Sequence, residues 1–137
     1  MTRTLATLFG LAYAALGVAG LFDTAFIGRN GFISADLTYS YLFLAVSAVL
    51  LFAALLRREH ARRTVLTVGV VLALVAVIGL AIAPQGTLFG MLANSAGHLM
   101  NLAIGVTLAG IAFAERSVRR ESQSLRDIGY LRHARHA

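Results

Sequence analysis

The residues best suited to do chemistry in this chain lie close together in its last apolar segment: Asn94, His98 and Asn101, with Gly97 and Gly105 beside them. At 100° per residue in a helix, Asn94, Gly97, His98, Asn101, Gly105, Ala109 and Ala112 fall within about 120° of arc, with Leu108 as the one large residue among them. Leu99, Met100, Leu102, Ile104, Val106, Ile111 and Phe113 cover the other faces. A polar and small stripe on an apolar helix is expected to face inward, because unpaired polar groups in hydrocarbon are costly. For His98 three chemistries are open. It can hydrogen-bond between helices, it can ligate haem or a chlorophyll-type pigment through its imidazole, or it can relay protons. A relay needs a second titratable group, and none of the apolar segments holds a carboxylate.

The other polar side chains carry less chemistry. Tyr39 and Tyr41 are expected in the aromatic belt at a membrane boundary, while Ser40 and Ser47 share a helix face and are expected to meet the last helix. His60 sits among arginines as a solvated residue. His133 and His136 have the spacing of helical metal ligands, but they stand in a polar tail without a third ligand, so no metal site is expected. The chain has no Gly-x-Ser-x-Gly elbow, no His-Glu-x-x-His and no phosphate loop. It also lacks Cys, which removes disulfides, thiolate metal sites and cysteine nucleophiles together. No enzymatic activity is expected.

The elements that position these residues follow from composition. Of 137 residues, 58% are hydrophobic and 13% charged, and the mean hydropathy is +0.78, far more apolar than a soluble domain. About 20 apolar residues in a helix cross a bilayer core. Four such spans are predicted, near Thr4 to Phe22, Thr38 to Leu56, Thr64 to Ala83 and Ser95 to Ala114, none containing Asp, Glu, Lys or Arg. Helices satisfy their own backbone in lipid, and the runs lack the alternation of barrel strands. An alternative for the first span is a secretory signal, with Arg3 before it and Ala12-Tyr13-Ala14 faintly like a cleavage site. Cleavage there would leave too short an apolar core, so a retained span is expected.

Charge gives the topology. Eleven of the twelve arginines lie before the first span, between the second and third, or after the fourth; Arg29 is the exception. Basic residues stay on the cytoplasmic side, so both termini are expected there. The net charge of +6 and pI of about 11.1 come without any nucleic-acid-binding motif, and anionic lipids are the simpler partner. Arg57, Arg58, Arg62 and Arg63 in a tight hairpin, with Arg116, Arg119 and Arg120 after the last span, are the expected headgroup contacts. Asp23 to Leu37, around an Arg29-Asn30-Gly31 turn signal, and the turn at Pro84-Gln85-Gly86 are expected outside, with Pro84 ending the third helix. Residues 1–114 form the membrane domain and 115–137 a basic cytoplasmic tail, either frayed or a helical continuation with Val118, Leu125 and Ile128 on one face.

The two halves resemble each other. A shift of 59 places Gly10 on Gly69 and Gly20 on Gly79; a shift of 58 places Asp36 on Asn94 and Leu44-Ala45-Val46-Ser47 on Leu102-Ala103-Ile104-Gly105. The expected fold is an all-α four-helix membrane bundle of two tandem hairpins related by a pseudo-twofold along the membrane normal. Lipid supplies no hydrophobic drive between helices, so small residues must let backbones approach. Gly10, Ala14 and Gly17 on the first helix, with Ala6, and Gly69 and Ala73 on the third, with Ala76 and Ala83, are the predicted packing stripes; Gly97, Asn101, Gly105 and Ala109 serve the fourth.

GLAYAALGVAGLF from Gly10, the stretch Gly69 to Leu80 and FGMLANSAGHLMNLAIGV from Phe89 resemble a family of small bacterial four-helix membrane proteins catalogued only as a domain of unknown function. That resemblance covers roughly residues 4 to 114 and implies a multi-pass protein of the bacterial cytoplasmic membrane. The family's second and fourth helices carry His-x-x-x-Gly. Here Phe43 and Asn101 occupy the histidine positions, and Ser47 and Gly105 the glycine positions. The functional expectation is a non-enzymatic accessory or structural subunit that packs against other integral membrane proteins or itself. The rival readings are a small channel or carrier lined by the polar stripe, and a haem- or pigment-binding subunit through His98.

Overall fold

The computed structural model describes residues 1–83 and 85–134, with side chains through Arg116 except Gln85. Four helices dominate: α1 (Thr2–Leu21), α2 (Leu37–Leu55), α3 (Arg58–Ile82) and α4 (Ser95–Ala134). Each is long and apolar enough to cross a membrane, α4 over Ser95–Arg116. Their outward faces carry large apolar side chains such as Leu11, Phe52, Leu74, Val77, Val106 and Phe113. Only about a third of each span is buried within the protein, 28% for α1 and 33% for α2. An exterior this apolar has a suitable solvent in lipid and would aggregate in water.

Packing is closest within two hairpins, α1 with α2 and α3 with α4, and looser between them. The first hairpin seats leucines on glycines: a Cβ at Gly10 would overlap Leu51, and one at Gly17 would overlap Leu44. In the second, Ala109 stands at the position equivalent to Leu51, and the helices close until their backbones meet. A Cβ at Gly69 would overlap the Ala109 nitrogen and the Gly105 carbonyl, and one at Gly105 would overlap the Gly69 carbonyl and the Ala73 nitrogen. Gly10 and Gly17 in the first hairpin, and Gly69, Ala73, Gly105 and Ala109 in the second, therefore lie at the hairpin seams.

The internal repeat is far clearer in burial than in sequence. On α1 the buried residues are Thr2, Ala6, Gly10, Tyr13, Gly17 and Gly20. Adding 59 to each gives Ala61, Val65, Gly69, Leu72, Ala76 and Gly79, the buried set of α3. On α2, Tyr39, Ser40, Phe43, Ser47, Leu50, Ala53 and Ala54 are buried; adding 58 lands on Gly97, His98, Asn101, Gly105, Leu108 and Ala112, all buried in α4, and, for Ala53, on the half-buried Ile111. The caps repeat too. Asp36 Oδ1 accepts the Tyr39 N–H at 2.8 Å and Asn94 Oδ1 accepts the Gly97 N–H at 3.0 Å, each satisfying a donor that the helix start leaves free.

Several boundaries depart from expectation. α1 begins at Thr2, and α3 begins at Arg58 rather than Thr64. The basic hairpin thus shrinks to Leu56 and Arg57, with Arg58, Arg62 and Arg63 inside α3. Arg and Ala are good helix formers, and Glu59 in the first turn complements the helix dipole. α4 runs on to Ala134, so the tail is a helical continuation over that range, His133 included; Arg135, His136 and Pro84 lie outside the described residues. α3 ends at Ile82.

The loops at the other end contain short strands that the apolar pattern did not suggest. β1 (Ile27–Gly28) pairs in parallel with β2 (Ile33–Ser34), and β3 (Gln85–Leu88) pairs antiparallel with β4 (Met91–Asn94). Once the chain leaves a helix its backbone groups need new partners, and the strands supply them. The β3–β4 turn places Phe89 at φ +52 and Gly90 at φ +78, as a two-residue hairpin loop demands. Asn94 Nδ2 donates to the Phe32 carbonyl at 2.9 Å and ties the two loops together.

At the arginine-rich end the start of α1 is clamped to both hairpins. Glu115 accepts from the Thr2 N–H at 2.8 Å and the Thr2 hydroxyl at 2.5 Å, and pairs with the Met1 ammonium at 3.1 Å. Arg3 Nε donates to the Ala54 carbonyl at 2.6 Å, capping one of the carbonyls left open at the end of α2.

Candidate functional site

The polar residues of α4 do not act as one stripe. Asn94 is a cap and loop tie, as described above. His98 and Asn101, 1% and 5% exposed, are both interior, but they point to different neighbours.

Asn101 joins the hairpins. Its Oδ1 accepts from the Tyr13 hydroxyl of α1 at 2.7 Å, and its Nδ2 donates to the Tyr39 hydroxyl of α2 at 2.7 Å. Both tyrosines are buried. Phe43 lies between their rings, with centroids 5.6 Å from Tyr13 and 4.6 Å from Tyr39, in tilted packing that suits aromatic quadrupoles. The amide thus satisfies two phenols that would otherwise be costly to bury. It departs from local symmetry: Asn101 is the repeat partner of Phe43, Tyr39 that of Gly97, and Tyr13 that of Leu72. Each half contributes what the other lacks.

His98 belongs to the seam of the second hairpin. A Cβ at Gly79 would collide with its ring, so the imidazole lies against the α3 backbone where only glycine leaves room. Nε2 lies 3.2 Å from the Ala83 carbonyl, and since a carbonyl only accepts, Nε2–H is the donor in that contact. Nδ1 is buried without a partner. Ala83, expected in the packing stripe of the third helix, lies just beyond α3 and serves instead through its carbonyl.

Ser40 is the repeat partner of His98, and Gly20 that of Gly79. The pair interacts in the same way: a Cβ at Gly20 would collide with the Ser40 hydroxyl, which donates to the Asp36 carbonyl at 2.9 Å. Ser40 therefore packs on α1. Tyr39 is corrected, since it is 4% exposed and bonded to Asn101 rather than lying in a boundary belt; Tyr41, 57% exposed, faces outward. Leu108, the large residue among small ones, is fully buried core.

Gly10, Gly17, Gly69, Gly97 and Gly105 are buried, and Ala14, Ala73 and Ala109 are half-buried. Arg57, Arg58, Arg63 and Arg116 are exposed and Arg62 is half-buried; the side chains of Arg119 and Arg120 lie outside the described residues. Among the described residues no three His, Asp or Glu side chains gather as a metal site. Sequence reasoning missed Tyr13 entirely. Its signal was positional, because Tyr13 sits between Gly10 and Gly17 on the inward stripe of α1, where a phenol must find a partner. Comparison with known proteins gives no matching family model, no similar curated protein and no similar solved structure.

Proposed function

We propose that the chain is a non-enzymatic integral protein of the bacterial cytoplasmic membrane, with both termini inside, that works as an accessory or structural subunit by packing against other integral membrane proteins. The observation that carries this reading is Gly110. A Cβ there would meet nothing within 4 Å, although glycine in a helix interior costs about 1 kcal/mol relative to alanine. Ala103 and Thr107 are exposed on the same outer face of α4. Small residues at this spacing admit a second helix closely in lipid, and a Cβ at Gly110 would meet none of the described residues. The interior is committed elsewhere: His98 and Asn101 are enclosed and hydrogen-bonded within the bundle, which favours association over a wet pore or a bound pigment.

The test compares the wild type with Gly110→Ile after gentle detergent extraction. Wild type is expected to migrate with larger membrane proteins, and Gly110→Ile to migrate alone with an unchanged melting temperature. Recovery of the wild type only as a lone monomer, or an unchanged assembly in the variant, overturns the proposal.

A further inference from the structure

At the arginine-rich end a cavity of roughly 500 Å³ opens between the first turns of α3 and the last apolar turn of α4. Arg58 and Arg62, one helical turn apart, both line it, and neither makes a hydrogen bond or ion pair with another described residue. Arg57 and Arg63 are not in its wall. Opposite stand Ile111 and Ala114, an apolar surface continuous with the outside of α4. Two carboxylates complete the wall. Glu115 has both oxygens engaged, by Thr2 and the Met1 ammonium, and Glu59 has an interaction of its own. Among the described residues of the wall, formal charges from Arg58, Arg62, Met1, Glu59 and Glu115 sum to one unit positive.

We infer that this cavity holds one anionic phospholipid of the adjacent leaflet, its phosphodiester between Arg58 and Arg62 and its glycerol and first methylenes against Ile111 and Ala114. Two guanidiniums a turn apart match the several acceptor oxygens of a phosphate in a way a single cation does not. A headgroup with one net negative charge neutralises the site; a zwitterionic one leaves it charged. The apolar wall selects a lipid over free phosphate, because burying the first methylenes adds to the electrostatic attraction. The diffuse attraction of the other arginines differs in kind, since it fixes no stoichiometry.

The test takes the full chain from vesicles of phosphatidylethanolamine and phosphatidylglycerol in a three-to-one ratio into native mass spectrometry. One phosphatidylglycerol per chain is expected. Arg58→Gln with Arg62→Gln should reduce its retention about tenfold, the effect of about 1.4 kcal/mol, whereas Arg57→Gln with Arg63→Gln removes the same charge and should change it less than about twofold. Ala114→Phe, which fills the cavity and leaves both arginines, should also lose the lipid and guards against misfolding in the double variant. The inference is overturned if both double variants lose lipid equally, if Ala114→Phe retains it, if phosphatidylethanolamine is held as well as phosphatidylglycerol, or if water-soluble glycerophosphoglycerol competes at the same concentration as the lipid.

Discussion

One buried amide joins the two halves of the bundle through a pair of hydrogen bonds. Asn101 sits between the Tyr13 and Tyr39 hydroxyls at 2.7 Å each, so its removal strands both. Interhelical hydrogen bonds in membrane proteins average about 0.6 kcal/mol, with values up to about 1.7. Tyr13→Phe should therefore cost about 1 kcal/mol and Asn101→Ala more, since it also opens space around Phe43. A double-mutant cycle in detergent unfolding should return a positive coupling of about 0.5 to 1.5 kcal/mol; additivity would mean that the bond is not formed. Gly79 makes the second prediction at this scale. Gly79→Ala forces its methyl into the His98 ring and should cost about 1 to 3 kcal/mol. His98→Ala in the same chain should recover most of the loss. Without that recovery, the cost would lie in the α3 backbone and not in the imidazole.

Between elements, equivalent positions in the repeat are unequal in consequence. Gly10 and Gly69 match under the shift of 59, yet a methyl at Gly10 meets the flexible Leu51 side chain, while at Gly69 it meets backbone atoms of α4. Backbone cannot rotate away. Gly69→Ala should destabilise by about 2 kcal/mol or more and Gly10→Ala by less than about 1, read from thermal unfolding followed by circular dichroism. In the β3–β4 hairpin, Phe89 at φ +52 occupies a backbone region unfavourable to a bulky side chain. Phe89→Asn should stabilise by about 0.5 to 1 kcal/mol, because Asn tolerates that conformation and suits the turn. A loss of stability would indicate that the exposed phenyl ring has a partner the free chain does not provide.

For the whole molecule, the arginine distribution and the helical fold make a joint prediction about sidedness. The chain has no native Cys, so single Asn30→Cys and Arg57→Cys variants report cleanly. A membrane-impermeant maleimide applied to intact cells is expected to label the first and spare the second. Labelling of both, or the reverse pattern, would overturn the orientation with both termini inside. The clamp of Thr2 and Met1 on Glu115 places the chain start and the end of the last span at the same end, as an even number of crossings requires.

Four helices long and apolar enough to cross a membrane, and the close approaches at Gly10, Gly17, Gly69 and Gly105, were legible in the residues alone, because apolar length and glycine spacing are local properties. The repeat was visible as a few matched glycines. Its extent became clear only when the buried positions of α1 and nearly all of those of α2 were seen to fall on buried equivalents in α3 and α4. The partners of the polar groups were decided by tertiary structure. Helical spacing puts His98 and Asn101 on one stripe, but a side chain's partner depends on which helix crosses at that depth, and only the fold brings Gly79 under the imidazole and two phenols to the amide. The reach of α3 down to Arg58 was hidden for a related reason: a polybasic run reads as a loop by charge, and becomes helix once the neighbouring hairpin fixes where the chain must turn.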